Sequence, residues 1–313
     1  MTKPASIPSW NAAWPAAAPR LSVLIPFLRD DPRPLLQALG RQALAAPAEV
    51  EVVLFDDGTG DSALTTAVSE TVMASPLPAR LVTSPENLGR ARGRNRLAAE
   101  ARGAWLLFLD GDMLPDAPTF LAAYLELIER DAPAVVFGGF SLDQAPPRRE
   151  HALHRAMALA SDCAPVEQRR REPEKHVFTS NLLVRRDVFE TVGFDEGFAG
   201  WGWEDVEWAM RVTARHPITH VANTATHLGL DPAWRMARKY EQSAPNFARV
   251  VAEHRDIVAN YPSYKVARAL RRLPARAAWR PLLKALALSE PAPVGLRALA
   301  MRLYRAALYA EVV

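Results

Sequence analysis

The stretch ENLGRARGRNRLAAEARGAWLLFLDGDMLPD, residues 86–116, decides the fold. Residues 89–103 have the spacing of a helix, whereas residues 104–115 begin as the apolar run AWLLFL and end in acids. A short apolar run bounded by polar residues is typical of a buried strand. The sequence therefore predicts a helix followed by a strand whose carboxyl end carries Asp110 and Asp112.

Apolar runs alternate with helical segments on both sides of this stretch. The predicted strands cover residues 21–27, 49–61, 79–85, 104–115 and 134–140. Strands that alternate with helices predict an α/β fold with a mostly parallel, doubly wound sheet flanked by helices. Ligands bind such sheets beyond the carboxyl ends of the strands, so the acids at 56–57 and 110–112 form one candidate site.

The composition is that of a globular protein with enough apolar material for a sizeable core. Of the 313 residues, 49% are hydrophobic and 23% are charged. Prolines interrupt residues 1–20 where a secretion signal would need an unbroken apolar stretch, and no apolar run approaches the ~18 residues that span a bilayer. Cys163 is the only cysteine, which excludes an intrachain disulfide and favours a reducing cytoplasm.

Charge is distributed unevenly along the chain, although the net charge is only +3. Residues 264–313 carry ten Lys or Arg and two acids, so this tail is +8 and the first 263 residues are −5. The negative body predicts no nucleic-acid partner. Two interpretations of the basic amphipathic tail stay open: it binds an anionic membrane near a lipid acceptor, or it packs on the body or a partner.

Two acidic motifs stand at predicted strand ends. Asp110 and Asp112, separated by one glycine, can both reach a hard divalent cation, although Asp-Gly-Asp is also a common surface turn. Asp56 and Asp57 can accept hydrogen bonds from a nucleobase or a ribose. A simple turn with a capping Asp61 explains that last acid and leaves the other two unexplained.

Arginines follow the third predicted strand. They are Arg90, Arg92, Arg94 and Arg96. Positive side chains near a helix start suit a diphosphate, and a solvated basic face is the alternative for any one of them.

GWGWEDVEW, residues 200–208, combines three tryptophans, two glycines and three acids. A helix N-terminus explains Glu207 and Trp208, because acids favour the positive end of the helix dipole and a tryptophan fits a core. It leaves residues 201–203 unexplained, so we expect this stretch to have a function.

Four blocks of the sequence together resemble the GT-A glycosyltransferases of family 2. In chain order they are SVLIPF, VVLFDDGTGD, ENLGRARGRNRLAAEARGAWLLFLDGDMLPD and NLLVRRDVFETVGFDEGFAGWGWEDVEWAMRV. The resemblance runs from about Leu21 to His227, roughly two thirds of the chain; each block alone is loose, and their shared order makes the match specific. It implies a GT-A fold, a nucleotide-sugar donor, usually a UDP-sugar, and a Mn²⁺ or Mg²⁺ ion.

The resemblance implies a metal site when it is carried over residue by residue. Asp110 and Asp112 match the Asp-x-Asp motif, in which Asp112 would bind the metal and Asp110 the metal shell or the ribose. His227 matches a third metal ligand, with His220 as its competitor. Carboxylates, an imidazole and diphosphate oxygens suit Mn²⁺.

The resemblance also implies contacts to the donor. The residues concerned are Pro26, Phe27, Asp56, Asp57, Arg94, Asn95, Asp110, Trp201 and Gly202. Asp56 or Asp57 would hold the uracil or ribose edge, and Pro26 and Phe27 would line the base pocket. Arg94 and Asn95 match an Ala-Arg-Asn element beside the donor, whose alanine is glycine here.

GWGWEDVEW resembles the Gly-Trp-Gly-Gly-Glu-Asp segment of galactosyl- and N-acetylhexosaminyl-transferases, in which the Trp and glycines wall the donor sugar and acceptor. The resemblance implies Asp205 as general base and Glu204 as a contact to acceptor or donor hydroxyls. A sugar hydroxyl is a poor nucleophile until a carboxylate takes its proton. Trp203 departs from the segment, which has glycine there.

These motifs divide the chain into three parts. We expect an N-terminal extension at 1–20, a GT-A catalytic domain at 21–262 and a basic helical tail at 263–313. Within the catalytic domain we expect a nucleotide-binding half at 21–140, a mobile loop or lid at 141–176 and an acceptor half at 177–262.

The sequence therefore predicts a metal-dependent, inverting hexosyl- or N-acetylhexosaminyl-transferase that moves a sugar from UDP to a glycan or lipid-linked acceptor. One alternative is a sugar nucleotidyltransferase, which would want a glycine-rich, lysine-containing loop where this chain has PFLRDDPRP. The other is a non-catalytic sugar- or nucleotide-binding module, against which the intact Asp110, Asp112 and Asp205 argue. We expect the protein in the cytoplasm, with the tail able to hold it on the inner face of the cell membrane.

Overall fold

A computed structural model of the protein describes residues 9–42 and 44–313, which divide into two compact units. The first unit comprises Met1–Ala145, Cys163–Glu196 and Trp208–Gly229, and the second comprises Pro146–Asp162, Gly197–Glu207 and Leu230–Val313. The first eight residues of the predicted N-terminal extension lie outside the described residues.

The elements alternate along the first unit as the sequence predicts. The strands are β1 (Ser9–Trp10), β2 (Leu21–Phe27), β3 (Val50–Asp56), β4 (Ala79–Thr83), β5 (Trp105–Phe108), β6 (Met113–Pro115), β7 (Val135–Phe137), β8 (Phe140–Ser141), β9 (Leu182–Arg185), β10 (Ile218–His220) and β11 (Ala225–His227). The helices are α1 (Arg33–Gly40), α2 (Ser62–Met73), α3 (Arg90–Glu100), α4 (Phe120–Asp131), α5 (Ala152–Ala160), α6 (Val166–Arg169), α7 (Arg186–Thr191), α8 (Glu204–Thr213), α9 (Ala233–Glu253), α10 (Arg255–Val258), α11 (Pro262–Arg271), α12 (Arg276–Leu288) and α13 (Val294–Tyr309).

One large sheet organises the first unit. Its strands lie in the order β1-β4-β3-β2-β5-β9-β7-β10. Strands β4, β3, β2 and β5 are parallel neighbours, whereas β9 is antiparallel to both β5 and β7. A smaller sheet, β6-β11-β8, follows the acidic end of β5. The predicted α/β fold is confirmed, and the parallel strands bring their carboxyl ends to one edge.

Both faces of the large sheet are buried, because successive side chains of a strand point to opposite faces. On β2, Val23 and Ile25 join a cluster with helices α1, α2 and α4, whereas Leu24 joins one with α3, α7 and α8. Each such fully buried side chain contributes about 1.5–3 kcal/mol. The apolar runs that mark the strands in the sequence are therefore the core of this unit.

Two predicted strands are interrupted in the structure. Residues 104–115 form β5 and β6, separated by a turn in which Met113 N–H donates to the Asp110 carbonyl at 3.0 Å. Residues 134–140 supply β7 and begin β8, which belong to different sheets. Apolar runs alone do not reveal these breaks, because the chain stays buried as it passes from one sheet to the next.

A buried arginine holds residues 163–176, the last 14 of the 36 residues expected to be a lid. Arg169 on α6 is only 2% exposed, and its guanidinium donates to the carbonyls of Ala164 (3.0 Å), Phe137 (3.1 Å) and Val221 (2.9 Å). Every buried polar group needs such partners. This part of the segment is tied to the end of β7, and closure over a ligand stays a prediction.

In the part of the second unit that the structure describes, the regular secondary structure is helical, and the turn at residues 197–203 is not. Helix α9 continues through Pro245, and the basic tail forms three helices, α11 to α13. A left-handed Ala275, with φ of 56°, separates α11 from α12. Within residues 9–42 and 44–313, no helix is both long enough and apolar enough to cross a membrane.

Candidate active site

Five of the predicted donor-binding residues of the first unit lie at or directly after the carboxyl ends of β2, β3 and β5, whereas Arg94 and Asn95 lie on α3. Pro26 and Phe27 end β2, and Leu109 extends β5 beside them by donating to the Leu24 carbonyl at 3.0 Å. A Cβ on Gly111 would stand 3.4 Å from Phe27 Cβ and 3.5 Å from the Pro26 carbonyl oxygen. The Asp-Gly-Asp turn therefore begins in contact with the end of β2.

Asp56 fixes the loop that follows β3. The carboxylate is 3% exposed and accepts from Thr59 N–H at 2.8 Å and from the Thr65 hydroxyl at 2.6 Å. These bonds hold the glycine-rich turn that leads into α2. The predicted contact to a uracil or ribose would use the remaining lone pairs of the carboxylate.

Asp57 fixes the approach to α3. It accepts from the backbone N–H groups of Leu88 at 2.6 Å and Gly89 at 3.1 Å. Burial raises the pKa of Asp57, although these hydrogen bonds and the charge of Arg94 act in the opposite direction. The two adjacent acids thus hold two different loops at the same edge of the sheet.

Arg94 holds the first acid of the Asp-Gly-Asp turn. Its side chain is 3% exposed, and its Nη2 makes a short hydrogen bond to Asp110 Oδ1. Arg90 lies on the other oxygen, with 3.7 Å between its Nη2 and Asp110 Oδ2. Two arginine side chains therefore share the Asp110 carboxylate, and its implied role at the metal shell or the ribose stays a prediction.

Asp112 meets His227 across the small sheet. Register pairs Met113 on β6 with His227 on β11, and Leu228 N–H donates to the Asp112 carbonyl at 2.9 Å. His227 Nε2 lies 3.3 Å from Asp112 Oδ2. A Cβ on Gly229 would stand 1.8 Å from the same oxygen, so only glycine admits the carboxylate here.

This pair fits the metal that the family implies. The two side chains are 23% and 27% exposed, so a ligand can reach them, and they offer one carboxylate oxygen and one imidazole nitrogen. Mn²⁺ accepts both donor types. Asp112 and His227 are therefore the residues that would hold the ion.

His220, the competing metal ligand, has both ring nitrogens engaged. Its Nδ1 lies 3.2 Å from Arg169 Nη1, and its Nε2 lies 3.1 Å from the Pro173 carbonyl oxygen. Burial lowers the pKa of His220 to about 4, and the neighbouring Arg169 acts in the same direction. The neutral ring can accept from Arg169 and donate to Pro173, so its geometry favours a structural role and leaves His227 as the imidazole beside Asp112.

Asn95 clamps a loop of the first unit. Its amide donates to the Phe194 carbonyl at 2.9 Å and to Glu196 Oε1 at 3.1 Å, and its oxygen accepts from Phe194 N–H at 3.0 Å. These contacts account for the residue type without a ligand. The implied contact to the donor stays a prediction.

The other predicted site residues belong to the second unit. Glu204 is buried, whereas Asp205 is half-buried at the start of α8, where its Oδ1 accepts from Val206 N–H at 2.9 Å. The Trp201 ring is half-buried, 5.9 Å from the Tyr240 ring. Gly202 has a φ of 91°, in the region of positive φ that favours glycine.

Sequence reasoning missed two positions. Gly229 admits the Asp112 carboxylate, and its only signal is a glycine two residues after His227. Trp203 adopts a φ of 79°, in the left-handed region that disfavours any residue except glycine. The signal in the sequence is that Trp203 stands where the resembled segment has glycine. Only the φ angle in the structure shows that this tryptophan keeps a backbone conformation that favours glycine.

The match to a family model agrees with this geometry. Glycosyl transferase family 2 matches residues 22–193 of the 313, so the chain belongs to that family. The part matched contains the large sheet through β9 and the Asp-Gly-Asp turn.

Among curated proteins, the chain is 31% identical over 273 residues to the validoxylamine A glucosyltransferase of Streptomyces hygroscopicus subsp. limoneus, covering 72% of this chain and 58% of that protein. It is 24% identical over 239 residues to the uncharacterized glycosyltransferase YfnE of Bacillus subtilis (strain 168), covering 62% and 60%. The chain thus spans about three fifths of the length of these relatives.

Solved glycosyltransferase structures share the fold. A mannosyltransferase from Pyrobaculum calidifontis, PcManGT, in complex with GDP-Man and Mn²⁺, superposes with a TM-score of 0.59 at 17% identity over 96% of this chain and 89% of that one. S. aureus TarS 1-349 in complex with UDP-GlcNAc gives 0.51 at 16% identity over 91% and 89%. The predicted GT-A fold is confirmed.

Proposed function

We propose that the protein is a metal-dependent, inverting glycosyltransferase that uses a UDP-sugar donor. The observation that carries this proposal is the pairing of Asp112 with His227, 3.3 Å apart, beside an Asp110 held by Arg94. A carboxylate and an imidazole next to buried arginine charge are what a nucleotide diphosphate and its cation require.

At the donor end, this chain's residues bind and orient the nucleotide. The implied base pocket is the end of β2 at Pro26 and Phe27, and Asp56 or Asp57 would bind the uracil or ribose. A bound Mn²⁺ or Mg²⁺ on Asp112 and His227 would supply Lewis acidity toward the diphosphate. Arg90, which pairs with Asp110 at 3.7 Å, adds positive charge for the leaving UDP.

At the acceptor end, Asp205 is the proposed general base. As the acceptor oxygen forms a bond to the anomeric carbon, the proton of that hydroxyl passes to the Asp205 carboxylate. The bond between the anomeric carbon and the phosphate oxygen breaks, and its electron pair leaves with UDP. A single displacement of this kind inverts the anomeric configuration. Glu204 is the proposed contact to hydroxyls of the acceptor or the donor.

The donor sugar is proposed to be a hexose or an N-acetylhexosamine, and the acceptor a glycan or a lipid-linked sugar. The tryptophan-glycine segment at 200–205 supports galactose or an N-acetylhexosamine. The related Streptomyces protein is a glucosyltransferase by name, which keeps glucose in the same class. A panel of UDP-glucose, UDP-galactose and the two UDP-N-acetylhexosamines would rank these donors by rate of UDP release.

Calorimetric titration of UDP with Mn²⁺, and again with EDTA, tests the proposed donor site. We expect Mn²⁺-dependent binding that Asp112→Asn weakens at least about tenfold, because the isosteric amide loses the charge that holds the ion. Asp131→Asn is the matched control, since that exposed carboxylate pairs only with neighbouring Arg130 among the contacts described.

Four outcomes would contradict the proposal. Tighter binding of GDP than of UDP would change the donor, which matters because the structure of PcManGT contains GDP-Man. Absence of nucleotide binding by folded protein would refute the donor site. Binding without any sugar transfer across donors and acceptors would favour the non-catalytic alternative, and release of diphosphate from UTP and a sugar phosphate would favour the nucleotidyltransferase.

The tail is proposed to hold the enzyme on an anionic membrane. Several of its cations serve the second unit itself: Lys284 pairs with Glu241 at 2.6 Å, and the buried Arg297 donates to the Ala287 carbonyl at 3.1 Å. The exposed side of residues 265–273 differs. There a basic stripe runs beside an apolar one; the stripes are Lys265, Arg268 and Arg272, and Val266, Ala269 and Leu273.

Side chains three and four residues apart share one face of a helix, so both stripes can contact the same surface. Replacing Lys265, Arg268 and Arg272 by glutamate is expected to weaken binding to vesicles that contain phosphatidylserine by about 100-fold. A charge-matched control replaces the exposed Arg41, Arg130 and Arg215 of the first unit. Equal binding of both variants would support the alternative, in which the tail only packs on the protein.

A further inference from the structure

The turn that precedes the proposed base has an unusual backbone. Gly200, Gly202 and Trp203 have φ angles of 74°, 91° and 79°. Two of these positions carry glycine, which adopts such angles freely, whereas an indole-bearing residue does so only when its surroundings hold it. Trp203 is therefore the position to explain.

Helix α8 takes its direction from Trp203. The Trp203 carbonyl accepts from Glu207 N–H at 2.8 Å, the first bond of the helix. Glu204 and Asp205 stand in the first turn, directly after the left-handed residue. Any change in the backbone of Trp203 would consequently re-aim the first turn and the Asp205 carboxylate with it.

Aromatic packing holds the Trp203 side chain. Its ring centroid lies 4.8 Å from that of Phe247 on α9 and 6.0 Å from that of Tyr309 on α13. Phe247 and Tyr309 stack on each other at 4.2 Å and are 0% and 2% exposed. We call these three residues the aromatic latch.

A chain of hydrogen bonds joins the latch to the second tryptophan of the turn. Trp203 Nε1–H donates to Tyr309 Oη at 2.9 Å, and Tyr309 shares a hydrogen bond of 2.9 Å with the Ser243 hydroxyl. Ser243 in turn donates to the Tyr240 carbonyl at 2.9 Å, and the Tyr240 ring lies against Trp201. Every polar atom of the chain has a partner, which makes its geometry costly to change.

Two further contacts fix the same turn. The Asn246 amide donates to the Ala199 carbonyl at 3.0 Å and to the Gly202 carbonyl at 2.9 Å. His254 Nε2 lies 3.1 Å from Glu207 Oε1, and Glu207 is 1% exposed. The backbone is thus held on both sides of Trp203 by residues of α9 and of the turn that follows it.

We propose that Trp203 and Tyr309 are positioning residues of the acceptor site, which hold the left-handed turn so that Asp205 faces the acceptor hydroxyl. The inference rests on the proposed transferase function. Under this proposal α13, the last helix of the tail, helps to position the acceptor site. Trp203, which stands where the resembled segment has glycine, then serves to anchor the turn before Asp205.

Kinetics of three variants test the proposal, with UDP release from UDP-glucose into water as the probe reaction. Trp203→Gly, which frees the turn, should lower kcat about 100-fold, as expected for a misaligned catalytic group. Tyr309→Phe keeps the stacked ring and loses only its hydroxyl, so kcat should fall about tenfold. Trp203→Phe, which retains the aromatic ring, should lie between them. Mn²⁺-dependent UDP affinity should stay within about twofold in all three.

Trp234→Ala is the matched control, because that tryptophan of the second unit is 54% exposed on α9. Its kcat and UDP affinity should equal those of the wild type. Hydrogen exchange of the amides of residues 199–207 provides a readout without turnover. It should accelerate in Trp203→Gly and Tyr309→Phe and stay unchanged in Trp234→Ala.

Different results would refute the positioning role of Trp203 and Tyr309 and the proposed transferase function. If the wild type binds UDP with Mn²⁺ and releases it from the donor, but Tyr309→Phe and Trp203→Gly keep wild-type kcat, the positioning role is refuted and the transferase stands. Slow exchange at residues 199–207 in those variants refutes it equally. If the wild type neither binds UDP nor releases it, the transferase proposal falls and the positioning role falls with it.

Discussion

The Asp-Gly-Asp turn, here called the first motif, and the pair Glu204–Asp205, the second motif, are held in opposite ways. In the first unit, charged and polar side chains hold the Asp-Gly-Asp turn: Arg94 bonds Asp110, and His227 meets Asp112. In the second unit, Glu204 and Asp205 follow a turn that is held by ring packing and by an asparagine amide on backbone carbonyls. Ionic side-chain contacts hold the first motif, whereas ring packing and hydrogen bonds to backbone carbonyls hold the second.

The difference follows from what each motif is proposed to handle. A diphosphate and its cation carry several charges, and only opposite charges placed beforehand can bind them strongly. An acceptor hydroxyl is neutral, so its reaction depends on the direction of one carboxylate more than on the surrounding charge. The substitutions of Asp205, Gly229 and Asn246 described below each affect one motif and leave the other intact, whereas the effect of acid concerns the stability of the first unit.

The largest expected effect is on the second motif. Asp205→Asn removes the proposed base and should lower the rate of sugar transfer about 10²–10⁴-fold. Mn²⁺-dependent UDP affinity should remain that of the wild type, because the first unit is unchanged. Steady-state kinetics and calorimetry on one preparation separate the two effects, and a full transfer rate in the variant would rule out Asp205 as the base.

Acid should destabilise the first unit through His220. Its pKa is about 4 in the folded protein and 6.5 ordinarily, so the unfolded chain binds the proton more tightly. The stabilisation is complete above pH 6.5 and is lost as the pH falls toward 4, by about 3 kcal/mol. Urea unfolding at pH 7.5 and pH 4.5 measures this loss.

His220→Asn keeps an acceptor for Arg169 but has no imidazole to protonate, and its unfolding free energy should vary less with pH. His216→Asn, on a histidine of the same unit that is not buried, is the control and should behave as the wild type. An unchanged slope in His220→Asn would mean that other groups cause the acid sensitivity.

A smaller effect is expected from one methyl group beside the first motif. In Gly229→Ala the new Cβ would meet Asp112 Oδ2 at 1.8 Å, so the carboxylate must turn away from His227. Mn²⁺-dependent UDP affinity should fall about tenfold, which corresponds to about 1.4 kcal/mol. Gly295→Ala is the control, because a Cβ there meets nothing within 4 Å. Equal affinity in the two variants would show that the Asp112–His227 pairing is dispensable.

The smallest effect is expected from Asn246→Ala, which removes two hydrogen bonds from the turn of the second motif. The free energy of unfolding should fall by about 1 kcal/mol, since the released carbonyls can recruit water. Asn260→Ala, on an exposed residue that donates only to its own helix turn, should cost less. A thermal shift that is the same for both variants would contradict the role of Asn246 in holding the turn.

The first motif could be predicted from the sequence far better than the second. Apolar runs followed by acids at 56–57 and 110–112 predict the parallel strands and the place where their ends meet, because both signals are local. Arg94 was a candidate for the donor rather than a partner of Asp110, and His227 was a candidate only through the resemblance. Gly229 was not, since its closeness to Asp112 depends on which strands join the small sheet.

The backbone of the second motif could not be predicted in this way. Trp203 and Tyr309 are 106 residues apart, and no short pattern links them. Nothing local marks a tryptophan as left-handed, because the neighbours that hold it there come from α9 and α13. The resemblance pointed to Glu204 and Asp205. Only the tertiary packing explains how Trp203, directly before them, is held in its left-handed conformation.

The distance along the chain between Trp203 and Tyr309 also sets the order in which parts of the protein can fold during synthesis on the ribosome. Domains generally fold as units, N-terminal first, while synthesis proceeds. The Asp112–His227 pair and its glycine are complete once residue 229 has been translated. The turn before Asp205 must wait for Tyr309, so a nascent chain can complete the proposed nucleotide site well before the proposed base is positioned, and we expect any transfer to begin only after α13 has emerged.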